Sequence, residues 1–212
     1  MFKKIFFLLF LAVSWVAHAE QAAAPQGAGY QTLSPAQPTQ DKNKVEVIEF
    51  FWYGCPHCYA FEPLLNQWLK TMPKNVVFIR QPAAFSDIWE KHARAYFVAE
   101  ALNMVDKVHA DFFDAIQNKK QALETEEELG KFFVAHGVKE AAFHDAYKSF
   151  GVDTKVRQAK TTAPRYGISG VPTLIVNGKY MTSGSLAGSH ENMIKVLNQL
   201  IAQESKAHPA AK

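Results

Sequence analysis

Residues 45–52, VEVIEFFW, are a run of β-branched and aromatic side chains, and Cys55-Pro56-His57-Cys58 follows two residues after it. The run is too compact and too uniformly apolar for a half-exposed strand, so it predicts a strand covered on both faces. Beyond the cysteines, Phe61, Leu64, Leu65 and Trp68 recur at i, i+3, i+4 and i+7. That period predicts a helix opening near Cys55 and ending by Met72-Pro73. Residues 76–81, VVFIRQ, then predict a second strand. Strand, helix, strand in that order implies parallel pairing.

The two cysteines are the only ones in the chain. At the N-terminus, Lys3 and Lys4 precede an apolar run over residues 5–16 that ends in Ala17-His18-Ala19. This reads as a secretory signal over residues 1–19: a short basic region, an apolar centre too short to span a bilayer well, and small residues before a cut. An uncleaved membrane anchor is the alternative, and a lipid anchor is not expected, because no cysteine stands at the cut. Loss of Lys3 and Lys4 lowers the formal charge from +3 by two, to +1, and no basic block stands out. Nucleic acid is therefore not expected as a partner. In an exported compartment disulfides persist, but they usually close long loops, where the entropic gain is large. A bridge between Cys55 and Cys58 closes a very small ring and stabilises little. Chemistry explains it better than stapling.

Residues 20–40 are rich in Ala, Gln, Pro and Gly with no hydrophobic period, and predict a flexible leader. The middle of the chain is helical in pattern. Ser86 or Asp87 caps a helix carrying Trp89, Ala93, Tyr96 and Phe97, and Val108, Phe112, Phe113 and Ile116 mark another. Thr125 and Glu128 have capping-box spacing ahead of Leu129, Phe132 and Phe133, with Gly137 as the stop. Phe143, Ala146, Tyr147 and Phe150 repeat the spacing up to Gly151, and Val152, Val156, Ala159 and Ala163 follow until Pro164. These stripes read as helical core. Residues 173–176 (TLIV), the turn dipeptide Asn177-Gly178 and residues 179–181 predict a type I′ hairpin, and a last helix is capped near Ser189.

A cysteine in the first turn of a helix faces unpaired backbone N–H groups and the positive end of the helix dipole, both of which favour thiolate. Cys55 occupies that turn, and Cys58, one turn inward, is expected to be shielded. Cys55 thus exchanges with substrate and Cys58 resolves the mixed disulfide. A helix end supplies roughly 0.3–2 kcal/mol and one pKa unit is about 1.4 kcal/mol, so the dipole lowers Cys55 by about one unit. Hydrogen bonds and the His57 imidazolium must supply the rest. A depressed pKa gains Cys55 little as an attacking group, since intrinsic nucleophilicity falls as the thiolate fraction rises. As a leaving group it gains greatly, which makes the disulfide easy to give away. Two other readings of C-x-x-C fail on partners: a zinc site lacks a second ligand pair, and haem attachment needs histidine where Tyr59 stands.

Cys55-Pro56-His57-Cys58 after a buried strand, Gly170-Val171-Pro172-Thr173 before a late one, and the helical block between them resemble the DsbA family of thiol:disulfide interchange proteins within the thioredoxin superfamily. The resemblance covers nearly all of residues 44–205. It implies an α/β thioredoxin fold over residues 41–83 and 167–206, with an inserted all-helical domain over residues 84–166. It implies a redox-active disulfide between Cys55 and Cys58, flanked by Pro56 and His57. It also implies that Glu49 is a buried carboxyl below the disulfide, with raised pKa, able to relay the proton of Cys58. Val171 and Pro172 would form a cis-proline loop whose backbone pairs with an extended substrate. Glu62 and Arg80 sit where the family's neighbouring acid and base fall, although arginine in place of the more familiar lysine leaves a proton-relay role there open. The implied activity is periplasmic: a monomeric dithiol oxidase acting on reduced, unfolded secreted proteins and reoxidised by a DsbB-type, quinone-linked membrane partner, with no metal or other cofactor. An isomerase or reductase on the same fold is the nearest alternative. A peptide-binding chaperone or metal carrier is the alternative from another class.

Overall fold

Val45–Phe51 forms β2, and all seven of its residues are buried. The computed structural model describes residues 27–207, so the expected signal peptide and the start of the expected leader lie outside the described residues. β2 pairs in parallel with β3 (Val76–Pro82), which brings Glu49 opposite Arg80. On its other side it pairs antiparallel with β4 (Thr173–Val176). β5 (Tyr180–Ser183) and a two-residue β1 (Gln31–Thr32) complete the sheet, in the order β1-β5-β4-β2-β3. Asn177 and Gly178 both have positive φ, 51° and 65°, as the predicted type I′ turn between β4 and β5 requires.

The pleat divides β2 between two cores. Val45 and Val47 pack with Phe61 and Leu65 of α1 (Pro56–Lys70) and with Leu197 and Leu200 of α8 (His190–Ala207). Ile48 and Phe50 face the opposite way, against Ile175, Ala163 and Tyr166. Phe51, at the end of the strand, enters a third cluster with Tyr53, Cys55, Cys58 and the helical block. Each such buried phenylalanine or leucine contributes about 1.5–3 kcal/mol from water exclusion alone.

Between β3 and β4 the chain runs through α2 (Asp87–Ala101), α3 (Val105–Gln117), α4 (Glu126–Ala135), α5 (Glu140–Tyr147) and α6 (Phe150–Arg165). The Thr125–Glu128 capping box closes in both directions at the start of α4, and Gly137, with φ of 90°, follows its end. Gly151 does not stop a helix. The break falls at Lys148, and Ser149 caps α6 by accepting from the backbone N–H of Val152 at 3.2 Å, which puts Gly151 inside the first turn. Pro164 likewise lies within the last turn of α6. α7 (Gly184–Ala187) is a single turn after β5.

The flexible leader expected up to residue 40 is corrected over its described part. Residues 29–37 lie along the β5 edge: Leu33 is buried, its N–H donates to Lys179 O at 2.7 Å, Gln37 N–H donates to Gly178 O at 2.8 Å, and Thr182 Oγ1 donates to Gly29 O at 2.6 Å. Composition misreads this arm because backbone hydrogen bonds hold it, and those are available to any sequence.

Candidate active site

The loop after β2 turns the chain so that Cys55 becomes the N-cap of α1, with extended backbone (φ −89°, ψ 114°), and Pro56 takes the first helical position, where a missing N–H does no harm. The sulfur of Cys55 therefore stands over unpaired amides, and Cys58 N–H donates to it at 3.4 Å. Cys55 retains 8 % exposure and Cys58 none. Neither is disulfide-bonded. The Cys58 thiol, donating to Cys55, does most to hold the Cys55 pKa down to about 6; the N–H groups of Cys58 and His57 and the His57 charge add to it, against the effect of burial. Burial, together with its donation to Cys55, pushes Cys58 well above 9.0. The dipole argument foresees the direction for Cys55, and the neighbouring thiol supplies the larger share.

Val171 O approaches Cys55 Sγ at 3.4 Å, and the Val171–Pro172 peptide bond is cis. His57 is exposed on the outer side, with its ring 6.4 Å from that of His190 at the start of α8. A groove of about 450 Å³ opens beside them, with His57, Gly170, Val171, Pro172, Ser185 and His190 among its walls.

Glu49 falls on the α1 face of β2 by strand alternation and is wholly buried. Desolvation first, and then the charge of Glu62, raise its pKa to about 8, while Arg80 pulls it down. Arg80 lies between the two acids, with Nε 3.3 Å from Glu49 Oε2 and Nη2 3.4 Å from Glu62 Oε2. Apart from this long contact with the guanidinium, neither oxygen of Glu49 has a donor among the described residues. Burial also acts to raise Glu62, but His109, Arg80 and Asn66 outweigh it and hold that carboxyl below the ordinary range. A charge on Glu49 raises Cys58, so the two groups sense each other. The residues singled out from the sequence form two neighbouring groups: Cys55, Pro56, His57 and Cys58 at the helix start with Val171 across from Cys55 and Pro172 next to it, and Glu49, Glu62 and Arg80 in the interior, linked to the first through the effect of Glu49 on Cys58. His109 and Tyr53 were not foreseen. His109 stands beside Val108 in an apolar helix face, and its position there was the one available signal.

Residues 79–189 match the family described as DSBA-like thioredoxin domain. This covers more than half of the chain. The chain belongs to the DsbA-like thioredoxin family. DsbA-like relatives named thiol:disulfide interchange protein DsbA include one from Pseudomonas syringae pv. tomato, 41% identical over 204 residues and 95% of each chain. Another, from Azotobacter vinelandii, is 43% identical over 85% of each. The crystal structure of Pseudomonas aeruginosa DsbA superposes with a TM-score of 0.81 at 39% identity, covering 85% of this chain and 94% of that one. The DsbA-like match takes in the helical block and the Val171–Pro172 loop, and the full-length relatives extend it across the Cys55–Cys58 segment.

Proposed function

We propose that this chain is an exported thiol:disulfide oxidoreductase that donates a Cys55–Cys58 disulfide to reduced, folding secreted proteins in the periplasm. The reaction class follows from the family and from the names its relatives carry. The direction of transfer rests on one observation: the two thiols are shifted oppositely, Cys55 down to about 6 and Cys58 well above 9.0.

A substrate thiolate attacks Cys55 Sγ, the Cys55–Cys58 bond breaks, and its electron pair goes to Cys58 Sγ. Buried Cys58 does not stay ionised and takes a proton. Glu49, with a pKa of about 8, keeps its carboxyl proton at neutral pH and is the nearby donor. A second substrate thiolate then attacks the substrate sulfur of the mixed disulfide, and Cys55 departs as a stable thiolate. The substrate loses two electrons and two protons; Cys58 keeps one proton and the other is released. The extended substrate lies in the groove beside Val171 and Pro172, pairing with the loop backbone. The chain works as a monomer and is reoxidised by a DsbB-type, quinone-linked membrane partner. No helix among the described residues is long and apolar enough to cross a membrane; export rests on the signal-like residues 1–19.

The test is a redox titration against glutathione, with Cys55→Ser as control. The oxidase has a potential well above the thioredoxin value of about −270 mV, and the serine variant transfers no disulfide. A potential at or below that value would make the protein a reductase.

A further inference from the structure

The buried acids beneath the thiols are not held by the thioredoxin core alone. His109, on α3 of the helical block, is 5 % exposed and is ringed by Phe51, Tyr53 and Phe113, each with its centroid 5.2 Å away, and by Tyr96 at 6.2 Å. Its Nε2 lies 3.2 Å from Glu62 Oε1 and its Nδ1 lies 2.8 Å from the Tyr53 hydroxyl. Burial lowers the His109 pKa, so the ring is neutral. A carboxylate can only accept, which puts the single ring proton on Nε2, and Nδ1 then accepts from Tyr53. Donation therefore runs one way, from Tyr53 to His109 to Glu62. Glu62 also receives Asn66 Nδ2 at 3.0 Å and Arg80 Nη2 at 3.4 Å. Glu49 has only the 3.3 Å contact with Nε of the same guanidinium, and no other donor among the described residues.

The geometry points to His109 as a positioning residue for the thiol chemistry: by holding Glu62 as an anion beside Arg80, it keeps a second negative charge next to Glu49 and leaves Glu49 protonated near Cys58. The inference rests on the oxidase reading for its consequence, though not for its physics. Two carboxylates share one guanidinium, and the one with more donors ionises first. The other titratable groups bearing on the cluster are Asp106 on α3, Tyr96 on α2 and Tyr53. None of them donates to Glu62. Removal of the His109 donor weakens Glu62 as an anion. Glu62 then repels the Glu49 charge less and competes less for Arg80, so Glu49 gives up its proton at lower pH.

The experiment follows the Glu49 carboxyl band in the full-length protein by infrared titration, with the band identified by its loss in Glu49→Gln. His109→Leu should lower the midpoint from about 8 by roughly one unit, and should move the pH profile of single-turnover donation to a dithiol peptide by the same amount. His109→Gln keeps an N–H that reaches Glu62 Oε1 and should restore most of the shift. A midpoint unchanged in His109→Leu, or equal shifts in the leucine and glutamine variants, overturns the proposal. Should the leucine variant not fold, His109→Phe keeps a ring among Phe51, Tyr53 and Phe113 but has no N–H for Glu62; it should lower the same midpoint, and an unchanged value overturns the proposal equally. A wild-type protein that donates no disulfide would overturn the oxidase reading instead, because the midpoint needs no substrate.

Discussion

Cys55 Sγ lies 3.4 Å from the carbonyl oxygen of Val171, 116 positions further along the chain. A thiol can donate to that oxygen and a thiolate cannot, so the loop opposes ionisation and the helix start must overcome it. The Cys58 thiol does most of this. Thiolate absorbance of the reduced protein should therefore titrate with a midpoint near 6. Cys58→Ala, lacking that donor, should titrate roughly one unit higher. A wild-type midpoint at the ordinary cysteine value of 9.0 would remove the basis for an oxidant.

His57 acts on Cys55 through an exposed charge as well as through its backbone N–H. His57→Ala keeps the N–H and loses the charge. The Cys55 midpoint should rise by up to about one unit, the potential should become less oxidising, and the effect should shrink in about 1 M salt, where the Debye length is near 3 Å. An effect that persists undiminished in salt would assign the shift to packing.

Reduced protein should be harder to unfold than oxidised protein, by a margin that depends on pH. The folded Cys55 pKa, about 6, lies below its ordinary value of 9.0. The resulting stabilisation is absent below pH 6, grows between 6 and 9 and is complete above the unfolded value. Cys58, raised above 9.0, opposes it only at higher pH. Denaturant midpoints of the two redox forms should diverge from pH 6 to 9. Coincident midpoints at pH 8 would contradict the thiolate account.

Glu49 has the opposite sign. Its folded pKa, about 8, lies above its ordinary value of 4.5, so the stability tied to its proton is present below pH 4.5 and is lost as pH rises through 8. Glu49→Gln should lack that loss and become the more stable protein at pH 8 and above. It should also donate disulfide at least about tenfold more slowly at neutral pH, because the amide has no proton to give to Cys58. Parallel stability curves for the two proteins between pH 4.5 and 8 would show that Glu49 is ionised when folded.

Gly178→Ala tests the arm. Gly178 has φ of 65°, and a Cβ there would run into Gln37 O. The substitution should cost at least about 1–2 kcal/mol, and amide exchange should quicken at Leu33 and Gln37. Unchanged protection at those amides would mean that the arm is held from elsewhere.

Where one short segment carries both a period and its punctuation, the sequence could be read directly. VEVIEFFW, the Thr125–Glu128 box and Asn177-Gly178 are of this kind, and so is the cysteine pair at a helix start. Gly151 misled because glycine marks helix ends in general, whereas here the Ser149 hydroxyl set the boundary. The arm carries too few apolar side chains to show a period. The Tyr53–His109–Glu62 chain joins residues 56 and 47 positions apart, and a histidine beside an apolar stripe looks the same whether its partner is a solvent molecule or a buried carboxylate. Only the fold decides between them.

The Gln31–Thr32 pairing with Met181 and Tyr180 also bears on the company this protein keeps. Unfolded clients are extended chains with spare amides and carbonyls, and any bare sheet margin would recruit them into further strands. With its own residues laid along β5, that margin is already occupied. On that side a client is left to find the sulfur rather than the sheet, and contact can end when the bond has been exchanged.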